Sequence, residues 1–163
     1  MRVAVTGAAG FVGTNLMNAL DDAYSIEEGD PYDFTSADAV IHLAANADVA
    51  DGWSDPRRDL RRNTIVTSDV LEAMRAQGVR RLLFASSNAV YGNASPPCRE
   101  EDVGAQATTL YGASKVACEQ LIGAYAEAGH ISATILRLTP MLGPHYRHGL
   151  VKDFVDKLRA DPT

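Results

Sequence analysis

The chain has 163 residues, a net charge of −6, 46% hydrophobic and 22% charged residues. This is the balance of an ordinary globular protein with a sizeable core, and the length predicts one domain spanning residues 1–163. The arginine pairs Arg57-Arg58, Arg61-Arg62 and Arg80-Arg81 sit among acids and apolar residues, so no nucleic-acid partner is expected.

No apolar run approaches ~18 residues and the chain opens strand-like, with no secretory leader, so neither a membrane partner nor export is expected. Cys98 and Cys118 lack metal-ligand spacing and fit a reducing compartment. A cytoplasmic location without a bound metal is the expectation.

In chain order, Val3 and Val5 make a short β-prone run that Thr6-Gly7 ends, and residues 14–20 continue with helical spacing. Between them lie Gly7, Gly10 and Gly13, a G-x-x-G-x-x-G pattern. Gly7 suits a tight turn, Gly10 lets backbone approach a pyrophosphate, and Gly13 lets the helix pack on the strand. Three glycines alone also fit a flexible turn; the strand–turn–helix context favours a dinucleotide site, with phosphates at the helix start.

A second strand is predicted over Ala23–Asp30, poorly apolar because of Glu27 and Glu28. An acid near its end would bond the adenosine ribose and repel a 2′-phosphate. Asp30 is the candidate, with Glu28 second; a solvated turn acid before Pro31 is the alternative. Asp38–Ala45 reads as the third strand. Pro31–Asp38 is too short for a normal crossover, so the usual helix between strands two and three should be missing or one turn long. His42 reads as a packed strand residue.

Asp55-Pro56 has the chemistry of a helix start, and Leu60, Ile65, Val66, Val70, Leu71 and Met74 follow at helical spacing to a stop at Gly78. Trp53 is expected to pack as an anchor ahead of it. Leu82–Ser87 is a fourth strand ending in two hydroxyls at the carboxyl end, where ligands of open α/β sheets bind. A loop over 88–109 leads to a helix over 111–128, closed by Gly129. Tyr111 and Lys115, four apart, share a face of that helix. An ammonium beside a phenol is expected to lower its pKa and make it a proton carrier near neutrality. Ile131–Leu138 is a fifth strand and Val151–Arg159 a last amphipathic helix. The order β-α-β-β-α-β-α-β-α describes a Rossmann-like, doubly wound parallel α/β sheet of about five strands.

Thr6-Gly7-x-x-Gly10-x-x-Gly13, His42-Leu43-Ala44-Ala45, Ser87 with Val90-Tyr91-Gly92, and Tyr111-x-x-x-Lys115 together resemble the extended short-chain dehydrogenases/reductases. Within them the chain looks most like the NAD-dependent nucleotide-sugar epimerases of the UDP-glucose 4-epimerase type. The archaeal type is suggested by Ala44–Val49 and by His148-Gly149. The resemblance implies an enzyme with NAD rather than NADP and a UDP-sugar substrate. It assigns Gly7, Gly10, Phe11, Val12 and Gly13 to the pyrophosphate and Asp30 to the adenosine ribose. Leu43, Ala44, Ala45, Asn63 and Ser86 would line the dinucleotide. Tyr111 would take the sugar proton, Lys115 would hold the nicotinamide ribose, and Ser87 would bond the same sugar oxygen. A homodimer through helices 55–77 and 111–128 is also implied.

The sugar dehydratases of the family carry an Asp-Glu pair after the serine; here Asn88-Ala89 stands there. Pro140 replaces a substrate-contacting asparagine, and the sequence given stops at Thr163 without the family's C-terminal substrate lobe. A non-catalytic dinucleotide module or a small reductase therefore stand as alternatives.

Overall fold

The computed structural model describes residues 1–46, 53–102, 107–146 and 150–160. Ala47, Asp48, Val49, His148, Gly149 and Thr163, named above, lie outside them. Five parallel strands form one sheet in the order β2-β1-β3-β4-β5. They are β1 (Val3–Thr6), β2 (Ala23–Ile26), β3 (Ala39–His42), β4 (Arg81–Ser87) and β5 (Ser132–Leu138). Helix α1 (Phe11–Met17) follows β1, α2 (Val66–Gln77) precedes β4, α3 (Leu110–Glu127) precedes β5, and α4 (Leu150–Ala160) comes last. The element order expected from the sequence is the observed one.

Alternation along the strands separates two apolar layers. Val3 and Val5 pack with Ala8 against Leu16, Met17 and Leu20 on the α1 side. Ala4, Val40, Leu82 and Phe84 pack with Val70, Leu71, Met74 and Ile122 on the α2/α3 side.

The crossover from β2 to β3 has no helix. Phe34, fully buried, plugs the core in its place. The Gln77 side chain clamps the crossover backbone: its Oε1 accepts from Phe34 N at 2.6 Å and its Nε2 donates to the Tyr32 carbonyl at 2.7 Å. One amide at the end of α2 thus serves a segment too short to satisfy itself.

Three expectations need correction. β2 stops at Ile26, four residues before Asp30. The start at Asp55-Pro56 does occur, Asp55 Oδ1 accepting from Arg57 N at 3.2 Å and Arg61 N donating to the Arg57 carbonyl at 3.0 Å. A π-helical stretch, Leu60–Ile65, then leads into α2. Trp53 is 80% exposed and does not pack as an anchor among the described residues. The segment after β4 is not all loop, since Asn88–Tyr91 forms a 3-10 turn whose N-cap Ser87 accepts from Ala89 N at 3.2 Å. The αL stops do occur at Gly78 (φ 75°) and Gly129 (φ 74°), where a side chain would be strained.

His42 is buried and joins β1, β3 and α2. Thr6 Oγ1 lies 2.6 Å from its Nδ1, and its Nε2 lies 3.0 Å from Thr67 Oγ1. Ala44 N donates to Thr6 Oγ1 at 3.3 Å. A neutral ring satisfies both contacts, one nitrogen donating to its threonine hydroxyl and the other accepting from its own, in either tautomer. Burial, helped by the charge of Lys115, holds its pKa down at about 3 against an ordinary 6.5. The folded state therefore binds this proton less well than the unfolded chain, and the stability tied to it is full above about 6.5. It should fall as pH drops toward 3, by at most about 1.4 kcal/mol per pH unit. Urea melts at pH 7, 5.5 and 4.5 should show a steeper acid loss for the parent than for His42→Gln; equal slopes would refute the assignment.

Candidate active site

The carboxyl ends of β1, β3 and β4 lie side by side, as strand pairing in register from Val3 to His42 and Phe84 requires. At the end of β1 the chain turns through Gly7, whose φ of 74° already disfavours a side chain. A Cβ there would come within 2.6 Å of Ala44 N. At Gly13 it would meet the Gly7 carbonyl oxygen at 2.4 Å, so α1 can sit this close to the turn only without a side chain. Gly10 is exposed at the cleft, and a Cβ there would lie a tight 3.3 Å from the Gly7 carbonyl oxygen. This is a cradle that a side chain at Gly10 would fill. Helix geometry leaves the N–H groups of Phe11 and Val12 without intrahelical acceptors. The Phe11 ring meets Tyr146 edge-on at 5.4 Å, fixing the residues after β5 against α1.

Thr6, Gly7, Gly10, Leu43, Ala44 and Ala45 line one side of a cleft of about 270 Å³. Its far side is Ile26 to Gly29, Tyr32, Arg62 and Val66. The volume suits the adenosine half of a dinucleotide, below the range of complete ligand pockets. The acid at this rim differs from the expected one. Asp30 Oδ2 accepts from Glu27 N at 3.0 Å and closes the turn that contains Gly29 (φ 97°), so Asp30 is a turn acid off the cleft. Glu27 and Glu28 line the cleft instead. Glu28 was the second candidate; Glu27, the first residue past β2, was not singled out in the sequence.

Ser87, Tyr111 and Lys115 converge at the end of β4. Thr109 caps α3, accepting Gly112 N at 2.9 Å, and this starts the helix at the position that turns Tyr111 toward Ser87. Gly112 makes the approach possible, because a Cβ there would lie 2.8 Å from the Ala89 carbonyl oxygen. Neither Thr109 nor Gly112 stood out in the sequence. Lys115 is buried and donates from Nζ to the Ala85 carbonyl at 2.8 Å, with Nζ 4.7 Å from the centroid of Phe84. Burial lowers its pKa to about 8.

The expected lowering of the Tyr111 pKa by Lys115 is not found. Burial raises it, and a hydrogen bond with Ser87 opposes that rise only in part; Asp59 and Cys118 add to it. The ammonium lies 5.9 Å from the Tyr111 ring centroid and points at backbone. The pair is therefore a protonated phenol beside a serine hydroxyl, with a lysine that loses its own proton easily.

Ser86 is also corrected. Strand alternation turns it away from Ser87, and its hydroxyl donates to Glu119 Oε1 at 2.5 Å. Glu119 is held in turn by Arg137 through two bonds of 3.1 and 3.0 Å, and Arg137 donates to Tyr91 Oη at 3.0 Å. This buried network fastens β4, β5, α3 and the 3-10 turn to one another. Asn63 sits in the π-helical stretch, whose wider turn brings its amide inward. It accepts from Asn46 N at 2.7 Å and donates to Ser114 Oγ at 2.8 Å, tying the end of β3 to the start of α3. No three His, Cys, Asp or Glu side chains among the described residues are grouped to hold a metal.

Residues 31–161 match the NAD dependent epimerase/dehydratase family. The chain belongs to that family. The family's dinucleotide is NAD, and the glycine cradle with its cleft fits such a group. The chain is 30% identical to a UDP-glucose 4-epimerase of Mycolicibacterium smegmatis, covering 100% of this chain and 64% of that protein. It is 29% identical to a dTDP-glucose 4,6-dehydratase of Mycobacterium tuberculosis, covering 96% and 57%. The structure of MoeE5 in complex with UDP-glucuronic acid and NAD superposes with a TM-score of 0.88 at 29% identity, covering 99% of this chain and 62% of that one. The chain thus spans about three fifths of these relatives' length. No helix among the described residues is long and apolar enough to cross a membrane.

Burying Lys115 has a measurable cost. Its folded pKa of about 8 lies below the ordinary 10.5, so the folded state carries the penalty in full below pH 8 and sheds it as pH rises to 10.5. The shift corresponds to about 3 kcal/mol, partly offset by the bond to Ala85. Lys115→Met should be no less stable than the parent at pH 7, and its relative advantage should shrink between pH 8 and 10.5 in thermal melts. A large loss of stability at pH 7 would show that the bond to Ala85 outweighs burial.

Proposed function

We propose that the chain is the NAD-binding part of a nucleotide-sugar 4-epimerase acting on a substrate of the UDP-glucose/UDP-galactose type, and that residues 1–163 form one dinucleotide-binding domain. The observation that carries this reading is the hydrogen-bonded Ser87–Tyr111 pair with buried Lys115, next to the glycine cradle. Nothing in packing alone requires these three polar groups to meet beside such a cleft.

Gly7, Gly10, Gly13 and the N–H groups of Phe11 and Val12 hold the pyrophosphate. Leu43, Ala44 and Ala45 flank the dinucleotide, and Glu27 takes the ribose role first sought at Asp30. When bound, NAD supplies a hydride acceptor. Tyr111 exchanges a proton with the sugar hydroxyl, and Ser87 shares it and keeps the phenol oriented. Lys115 turns from the Ala85 carbonyl to a ribose hydroxyl, bringing its charge to bear on Tyr111. Since burial raises the Tyr111 pKa, the phenol is protonated until positive charge arrives nearby, so proton removal is coupled to occupancy of the site. Asn88-Ala89, in place of an acidic pair after Ser87, favours epimerisation over loss of water. Most binding energy for a nucleotide sugar comes from contacts remote from the reacting carbon, and Pro140 offers no amide for one.

Calorimetry with NAD, on the parent and on Gly10→Asp, followed by a UDP-galactose turnover assay, tests the proposal. Binding should be lost on substitution, and turnover should fall at least about 100-fold in Tyr111→Phe, as expected for removal of a proton-transfer group. NAD binding without turnover would instead favour the non-catalytic module.

A homodimer belongs to the same reading. Leu60 and Ile65, each about half exposed, give the π-helical stretch an apolar face beside α3. Sedimentation should show a dimer that Leu60→Asp with Ile65→Asp dissociates; a monomer for the parent at high concentration would overturn it.

A further inference from the structure

Among the charged groups on the cleft, Arg62 is the one without an evident task. It comes from the π-helical stretch and reaches across the mouth to the turn after β2, where its Nη2 lies 3.0 Å from Glu28 Oε1. The two residues are 34 apart in sequence, and the crossover after β2 carries no helix. Arg62, Glu27 and Glu28 all line the same end of the cleft, while the Asp30 carboxylate is occupied by Glu27 N.

We propose that Arg62 is a latent phosphate-reading residue, and that its ion pair with Glu28 makes the cleft select NAD against NADP. The inference rests on the dinucleotide reading above and deepens it. Glu27 and Glu28 against Arg62 leave this rim with one net negative charge. A ribose diol can donate to the Glu27 carboxylate, with Glu28 left to its pair with Arg62. A 2′-phosphate, with nearly two negative charges, meets both acids and finds the guanidinium already taken. The planar fork of an arginine suits phosphate oxygens better than any other side chain, so a freed Arg62 would turn from bystander to anchor. Both partners of the pair are largely exposed, so the pair itself is weak. It biases the resting guanidinium toward Glu28, and removing that carboxylate should leave the side chain free to meet a phosphate.

The test is calorimetric titration of NAD and NADP into the parent, Glu28→Gln, Arg62→Gln and the double variant, with 2′-AMP against 5′-AMP as fragment probes. The exposed positions should leave the melting temperature unchanged in all four. The parent should prefer NAD. Glu28→Gln should tighten NADP and 2′-AMP about tenfold, as one new charge-assisted hydrogen bond allows, with NAD changed by less than about threefold. In the double variant that gain should disappear, and the gain in Glu28→Gln should weaken as salt rises. A gain of equal size with and without Arg62 would mean simple relief of repulsion and overturn the proposal. So would an unchanged NADP affinity in Glu28→Gln while NAD still binds. If neither dinucleotide binds to any of the four proteins, the dinucleotide reading itself fails, an outcome distinct from both.

Discussion

The site depends on one close approach: the turn at Gly7 passes the backbone of Ala44 with no room for a single methyl group. That contact sets the ends of β1 and β3 against each other and opens the cleft on the side away from the core. The chain Thr6–His42–Thr67 fixes it from below, and the Ala44 N–H bond to Thr6 ties the two strand ends into the same network. A charged imidazole is disfavoured there because burial strips it of water and Lys115 adds a like charge nearby. Burial keeps it neutral, so the same desolvation that could threaten the core gives the site its rigidity.

A second polar lattice repeats the principle on the other side. Ser86, Glu119, Arg137 and Tyr91 fill the space between β4, β5 and α3 with a fully partnered ion pair. Such a group is costly to bury and more costly to leave half paired. Its consequence is that neighbouring residues of one strand divide their work. Ser86 holds the scaffold together while Ser87, turned to the opposite face, meets Tyr111. The Asn46–Asn63–Ser114 bridge does the same for the start of α3.

The lysine and tyrosine illustrate how burial and proximity compete. Four residues of helix bring Tyr111 and Lys115 onto one face, but not the ammonium onto the phenol oxygen. With Nζ on the Ala85 carbonyl, desolvation dominates both groups, raising the phenol and lowering the amine. Each is displaced toward its neutral form, ready for a change in local charge.

Spacing and composition alone determined much of this protein: the glycine turn, the order of strands and helices, the missing crossover helix, and the Tyr111–Lys115 pair. These are local properties, since turns, strand alternation and helical repeats are written in neighbouring residues. Tertiary structure decided the rest. Asp30 stood at a plausible distance from the glycines, yet Gly29 turns the chain so that its carboxylate closes on Glu27 N and leaves Glu27 at the cleft. Ser86 was expected at the dinucleotide, yet packing of α3 on β4 brings Glu119 to its hydroxyl instead. Trp53 was expected to anchor the helix that follows it but is largely exposed among the described residues. The direction of the Tyr111 shift, the inward amide of Asn63 and the reach of Arg62 to Glu28 depend on burial and on contacts across tens of residues. No local pattern encodes them, because desolvation and long-range pairing exist only once the layers have packed.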